Sequence, residues 1–279
     1  MKYVLAISGG VDSVVLLDMM SQLNKDIVVA HFDHGIREDS AADARFVEAL
    51  ANSYGVEFIV ERAELGVTAS EDLARRKRYD FLRRVAKSVD GKIVTAHHQD
   101  DVIETIAMNL SRGSGWRGVS CMNDKTILRP MVAWTKRDIY QYVAERRLEW
   151  VEDETNQSGT YARNLMRRRL GGQIDNEQRL ELYNLWQKQR KLRREIEREM
   201  GRFDQQMRQR YFLTQIDEKI AINLLYYYIV RHMKVSLLSA QLERMLIAIK
   251  TGQPHTLWQI GGKIVMKLTA ESVIIERVE

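Results

Sequence analysis

A doubly wound α/β fold with a parallel sheet, followed by a smaller and mainly helical C-terminal domain, is what this sequence predicts. Three observations lead there. Short apolar, β-branched runs alternate with stretches of helical period through the first 110 residues. The patches at residues 9–13, 31–37 and 97–104 fall at the carboxyl ends of the predicted strands, where such sheets bind ligands. From residue 176 to about 210 the chain is charged, poor in glycine and helical in period.

The first strand is residues 3–7, an apolar run stopped by two glycines, and the first helix is residues 14–23, with Asp12 or Ser13 placed to cap its free N–H groups. Residues 8–13, "SGGVDS", therefore form a strand-to-helix turn. Gly9 and Gly10 let the backbone approach a ligand, Ser8 and Ser13 add hydroxyls, and the helix dipole favours an anion. A phosphate cradle is the reading this supports; an ordinary glycine turn is the alternative. The string lacks the Gly-Lys-Ser/Thr of a Walker loop and the third glycine of a dinucleotide fingerprint.

The alternation continues with strands at 27–31, 57–61 and 92–96 and helices at 40–54, 70–89 and 100–110. Ser40 and Asp43 have the spacing of a helix start, and Asp100 reads as an acidic cap. Pro130 and Pro254 mark turns. Residues 212–250 read as further amphipathic helices, and the last stretch as a pair of short strands. The boundaries expected are a catalytic domain at 1–173, a basic connecting helix at 174–211 and a small domain at 212–279.

At 279 residues and 45% hydrophobic content the chain is long enough for a sizeable core and about two domains. No apolar run approaches the ~20 residues that span a bilayer, and there is no cleavable leader pattern, so a soluble, cytoplasmic protein with no membrane partner is expected. Cys121 is the only cysteine, which excludes a disulfide framework and a Cys-x-x-Cys zinc site. The net charge of +5 is uneven: residues 1–160 carry −4, residues 161–211 carry +7 and residues 212–279 carry +2. Such a block suits a polyanion, although a solvated helix face is the plain alternative.

Three stretches carry candidate chemistry. In "TAHHQDDVIETIAMNLSRGSG", Asp101 and Glu104 lie three apart on one helix face and can together hold a cation, whereas Asp100 could merely serve the helix. In "HFDHGIR", His31 and His34 lack companions at metal spacing; nucleotide contact by His31 is the preferred reading over a buried structural histidine. "RGSG" from Arg112 suits an approach to phosphate or a nucleobase, with a plain turn as the alternative. Tyr183, Trp186 and Phe203, interleaved with the basic helix, suit RNA or a core.

The ordered set "SGGVDS", "HFDHGIR", "EDLARRKRYDFL", "TAHHQDDVIETIAMNLSRGSG", "LRPM", "WVEDETN" and "YARNLMRRRL" resembles the bacterial tRNA(Ile)-lysidine synthetases, in the short architecture, over about residues 1–170. These are PP-loop enzymes, which split ATP between the α and β phosphates and have an adenine nucleotide α-hydrolase-like fold. The resemblance implies a carbon–nitrogen ligase that adenylates O2 of the wobble cytidine of a tRNA(Ile) with a CAU anticodon, then admits the ε-amine of free L-lysine at C2, releasing AMP. It implies ATP and Mg2+ as cofactors. Ser8, Gly9, Gly10, Asp12 and Ser13 would bind ATP, with Asp12 near the metal, and Asp101 and Glu104 would receive lysine. Arg112 and Arg163 would balance phosphate charge, and Arg193 and Arg194 would meet tRNA. A homodimer is left open. The rivals are a PP-loop tRNA thiolase, an amidating ligase on a small metabolite, and a catalytically silent RNA-binding module.

Overall fold

The computed structural model describes residues 1–23, 26–35, 40–66, 70–152, 162–171 and 173–278. Two compact units divide the chain, Met1–Arg190 and Lys191–Glu279.

The first unit is built on five parallel strands, β1 (Tyr3–Ala6), β2 (Ile27–Asp33), β3 (Glu57–Arg62), β4 (Lys92–Val94) and β5 (Ile127–Leu128), in the order β3-β2-β1-β4-β5. The chain steps outward from β1 through β2 to β3, then returns to place β4 on the other side of β1. The strand order reverses between β1 and β4, and a crevice opens there at the carboxyl ends. The register pairs Tyr3 with Ile27 and with Lys92, so the two flanking strands enter level with β1.

Alternation along β1 decides what covers each face. Leu5 joins Val29 in a cluster with Val15 and Leu16 of α1 (Val11–Leu23), Val47 of α2 (Ser40–Ser53) and Ile139 of α6 (Lys136–Arg146). Val4 turns the other way, to Val28, Ala30 and the side chains of Phe81, Leu82 and Val85 from α3 (Glu71–Ser88). All of β2 is buried, which is why it opens on four consecutive apolar residues, Ile27–Ala30, rather than an alternating pattern; the buried polar residues His31 and Asp33 come at its carboxyl end. α4 (Gln99–Ser111) supplies Val102 and Ile106 to a third cluster with Cys121, Tyr183 and Trp186. Trp186, 1% exposed, donates its indole N–H to the Cys121 carbonyl at 3.1 Å. Tyr183 and Trp186 are therefore core residues, not an RNA-stacking surface.

Several elements depart from the sequence expectation. α1 begins at Val11, so Asp12 and Ser13 lie inside its first turn, and α4 is capped at His98 rather than at an acidic residue. The short α5 (Trp116–Val119), β5, α6 and α7 (Ala162–Gly171) were not anticipated. A sequence signal for α6 did exist: Thr135 and Asp138 form a capping box, with Thr135 N–H donating to the Asp138 carboxylate at 2.7 Å.

The long helix α8 (Asn176–Met200) stops short of residue 210, because Gly201 opens two 3-10 turns, Gly201–Phe203 and Gln206–Arg208. A Cβ at Gly201 would lie 2.9 Å from the Arg231 guanidinium. The second unit continues with α9 (Arg210–Gln215), α10 (Glu218–Met233) and α11 (Ser239–Thr251). The expected closing pair of strands is a three-stranded antiparallel sheet, β6 (Leu257–Ile260), β7 (Ile264–Leu268) and β8 (Val273–Arg277). Gly261 and Gly262, at φ 59° and 65°, make the first hairpin turn. The second turn has no glycine and was missed; Thr269 Oγ1 closes it by accepting from Ser272 N–H at 2.8 Å.

One buried carboxylate ties three helices of the first unit together. Asp18 on α1 accepts from Tyr54 at 2.8 Å, Tyr142 at 2.7 Å, Gln22 at 2.7 Å and Arg146 at 3.2 Å. Burial pushes its pKa up, but the bonds from Tyr142, Tyr54 and Arg146 outweigh it and hold the carboxyl below the ordinary range. Asp18→Ala should lower the unfolding free energy by about 2 kcal/mol in urea titration, since it removes the buried acceptor of the Tyr54 and Tyr142 hydroxyls. In the wild type this contribution should be complete above the ordinary carboxylate pKa and fade as pH falls from there through the lower native value.

Candidate functional site

The turn after β1 is closed by one side chain. Ser13 Oγ accepts the Ser8 and Gly9 amides at 3.2 and 3.1 Å and donates to the Gly10 carbonyl at 2.8 Å. Gly9 sits at φ 91°, and a Cβ there would meet Val47 at 3.3 Å, so the turn requires glycine at this position. Ser13 is thus the brace that shapes the turn. Its own hydrogen-bonding capacity is turned inward, leaving Gly10, Ser8 and the first turn of α1 to face a ligand.

Asp12 projects from that first turn and meets Lys136 Nζ at 2.5 Å. Lys136 opens α6, and its ammonium also lies 5.3 Å from the Tyr140 ring centroid. Across the switch point, His98 sits among three carboxylates: 3.7 Å from Asp12, 3.6 Å from Asp100 and 3.5 Å from Asp101. Burial alone would lower its pKa, but Asp100, then Asp101 and Asp12, raise it on balance. His98 is therefore biased toward the imidazolium form. Asp100 in turn is held below the carboxylate range, chiefly by His98, against the effect of burial. It also pairs with Arg179 of α8 and accepts the Lys136 amide at 3.3 Å.

The predicted carboxylate pair is adjacent to this web. Asp101 Oδ2 accepts the His98 amide at 2.9 Å, which makes it part of the α4 start as well as of the site. Glu104, one turn on, is 3% exposed and accepts from Arg167 Nε and Nη2 at 2.6 and 3.2 Å. Arg167 on α7 also approaches Asp101 at 4.0 Å. Burial lowers the guanidinium pKa less than Glu104 and Asp101 raise it. A cation thus already lies between the two carboxylates.

Not every candidate converges here. His31 is buried and its Nδ1 contacts the Ile7 carbonyl at 2.9 Å, bracing β1 against β2. Arg112 is exposed at the far end of α4, 11 residues and so about 16 Å of helix from Asp101. The Arg163 side chain lies outside the described residues. In the second unit Arg193 is held by Glu197 at 2.7 Å with only 17% of its side chain exposed, while Arg194 is exposed. His98, Lys136, Arg167 and Arg179 were missed by sequence reasoning. Of these only His98 had a local signal, being next to the acidic pair in "AHHQDD".

A doubly wound sheet whose switch point is lined by a serine-braced Gly-Gly turn on one side and buried carboxylates on the other defines an α/β nucleotide-loop protein. The chain belongs to the PP-loop family, whose domain matches residues 1–174. It is similar to tRNA(Ile)-lysidine synthase from Thermotoga sp., 38% identical over 180 residues, covering 59% of this chain and 43% of that protein. The enzyme of the same description from Thermus thermophilus is 39% identical over 171 residues, covering 59% and 34%. The matched region spans less than half the length of these curated relatives. The U34-tRNA thiolase NcsA from Methanococcus maripaludis shares the fold, with a TM-score of 0.55, 15% identity, and 69% and 72% of the two chains covered.

Ser13→Ala removes the acceptor for the Ser8 and Gly9 amides and for the Ser8 hydroxyl, which donates to it at 3.3 Å. It should cost about 1 kcal/mol of stability and weaken nucleotide binding about tenfold, as read by chemical denaturation and titration calorimetry.

Proposed function

We propose that this chain ligates free L-lysine to C2 of the wobble cytidine of a tRNA(Ile) with a CAU anticodon, converting ATP to AMP and pyrophosphate. The observation that carries the reading is the Asp101–Glu104 pair closed on a guanidinium, because it is a built site for a positively charged side-chain terminus beside a phosphate turn. The similarity to tRNA(Ile)-lysidine synthases supports the choice of substrate.

In the first step cytidine O2 attacks the α phosphorus and the bond to pyrophosphate breaks. The turn at residues 8–13 and the N-terminal end of α1 hold the phosphates, with the helix dipole favouring their charge. Magnesium fits this geometry in one way. Asp12 is the carboxylate of the turn and is partly exposed, and Mg2+ is usually held by one or two carboxylates plus substrate phosphates. The ion supplies neutralisation of the triphosphate; Lys136, released from Asp12, would then meet phosphate charge.

In the second step the lysine amine attacks C2, the C2–O bond breaks, AMP leaves and the nitrogen loses a proton. Asp101 and Glu104 would hold and orient the amine, and a carboxylate is a suitable acceptor for that proton. Lysine must first displace Arg167 from Glu104, so the protein's own cation sets the affinity that the substrate has to exceed. Thiol chemistry has no comparable support: Cys121 is buried, and burial pushes its thiol up to about 11.

Incubation with ATP, labelled lysine and tRNA(Ile) should yield AMP, pyrophosphate and a lysine-bearing nucleoside; ADP and phosphate as products would refute the reading. Glu104→Gln is the clean variant, since Asp101 also starts α4. It should raise the KM for lysine at least tenfold while ATP affinity stays within twofold.

The basic segment predicts a salt effect of limited size. Lys191, Arg194 and Arg198 are exposed and spaced for one face of α8, whereas Arg193 and Arg202 pair with Glu197 and Glu199, and Arg210 is bound to the carbonyls of Ile249 and Gly252. Replacing Lys191 and Arg194 by Gln should therefore weaken tRNA binding and flatten its log–log salt dependence by up to about two units, and replacing Arg193 alone should do neither.

A further inference from the structure

Two aromatic rings stand beside the nucleotide turn, and the reaction described above uses neither. Tyr140 on α6 is 50% exposed, although its neighbour Ile139 and Val143 one turn on are buried in the core. The other tyrosine of this helix is committed to the fold. Tyr142 donates its hydroxyl to Asp18 at 2.7 Å, and its ring centroid lies 5.5 Å from that of Trp134.

Local contacts place Tyr140 at the crevice. The Gln99 amide donates to the Trp134 carbonyl at 2.9 Å and the Lys136 amide to Asp100 at 3.3 Å, which fixes the first turn of α6 against the start of α4. Tyr140 follows Lys136 by four residues, so the two side chains share one face of the helix. The Lys136 ammonium lies 5.3 Å from the Tyr140 ring centroid while it pairs with Asp12 of the nucleotide turn. A second tether runs from the far end of α6. Val151 donates its amide to the Gly9 carbonyl at 3.0 Å, which brings Trp150 to the same turn. Trp150 packs against the core cluster that contains Leu5 and Val15, and it meets Tyr140 edge to face, with centroids 6.4 Å apart and planes at 64°. Tyr140 is thus braced by two neighbours, each tied to the nucleotide turn, while half of it stays open to solvent.

A braced, half-open aromatic ring suits a flat, unsaturated partner. Unpaired bases of RNA loops are held by stacking on aromatic side chains, and every base has a π face to offer. A base within a duplex has both faces covered by its neighbours, so such a ring selects single-stranded RNA. Because the ring is already positioned, little rotamer freedom is lost when a base stacks on it.

We infer that Tyr140, propped by Trp150, is a stacking residue for an unpaired nucleobase in the RNA loop that carries the reacting cytidine. The inference rests on the tRNA reading above. RNA rather than ATP supplies the base, because the ring touches the same lysine that would meet the triphosphate. An ATP whose phosphates reach Lys136 keeps its own adenine a ribose away from them.

The test uses the full chain with Tyr140→Leu, which keeps an apolar side chain beside Trp150 and removes the flat ring, and with Tyr140→Phe, which keeps the ring and removes the hydroxyl. Affinities for tRNA(Ile), for its isolated anticodon stem–loop and for a blunt duplex of the same stem are measured by fluorescence anisotropy across a salt series, and ATP affinity by calorimetry. Tyr140→Leu should weaken binding of tRNA and stem–loop about tenfold, the scale of one lost base stack, whereas Tyr140→Phe should stay within about twofold of wild type. Duplex and ATP affinities should be unchanged, and unchanged ATP affinity also shows that the first unit keeps its fold. The log–log salt slope should keep its wild-type value, because stacking releases no counterions. Wild-type stem–loop affinity in Tyr140→Leu overturns the role. An equal loss on the duplex, or a flatter salt slope, overturns stacking in favour of backbone contact, and a loss of ATP affinity assigns the ring to the nucleotide and overturns the RNA source. Failure of the wild type to bind tRNA at all would sink the tRNA reading itself, whereas tight wild-type binding with superimposable variant curves sinks only the stacking role.

Discussion

Four carboxylates converge where β1 and β4 part: Asp12, Asp100, Asp101 and Glu104. Left uncompensated, their mutual repulsion and the cost of burying them would destabilise the crevice. The structure answers with four cationic groups from four different elements. Lys136 comes from α6, His98 from the cap of α4, Arg167 from α7 and Arg179 from α8. The fold of the first unit can be understood from this balance. α6, α7 and α8 all follow the sheet in sequence, and each returns a positive group to its carboxyl end. A sheet and its crossover helices alone would leave the site with unpaired acids.

The same arrangement explains why the net charge of the basic segment overstates the positive charge it presents to solvent. Of the charge counted over residues 161–211, Arg167 and Arg179 are turned to the site, and Arg193, Arg202 and Arg210 to carboxylates or carbonyls within the second unit. Arg210 shows the extreme case, since its guanidinium joins the end of α11 to the turn before β8. Sequence counts give the charge that is present. Burial and pairing decide how much of it faces solvent.

This also accounts for what could and could not be read beforehand. β1, β2, β3, α2 and α3 were legible because their apolar periods are set by local packing against one sheet, and the turn at residues 8–13 because only glycine satisfies its backbone. β5 has two residues and no period to detect. The break at Gly201 was visible as a glycine, but whether a glycine ends a helix depends on what packs against it, here Arg231 and Tyr227 from α10. Asp101 and Glu104 were found from their spacing within one helix. Lys136 and Arg167 were not, because their partners lie 124 and 63 residues away in sequence and no local pattern encodes such a pairing.

Charge balance also bears on the proposed reaction. A magnesium ion at Asp12 would compete with Lys136 for the same oxygens, and a lysine ammonium at Glu104 would compete with Arg167. Each arriving cation would thus release one that the protein already holds, and the net charge near the carboxylates would change little. The released groups differ in what they could do next. Lys136, beside the turn, would have incoming phosphate as a new partner, so its displacement would be compensated as soon as nucleotide is present. Arg167 would keep Asp101, 4.0 Å away, and the phosphate transferred to the base is the α phosphate that the nucleotide has already brought, so nucleotide bound first would offer a partner to both displaced cations. On electrostatic grounds the lysine ammonium would be accommodated better in the presence of nucleotide than in its absence.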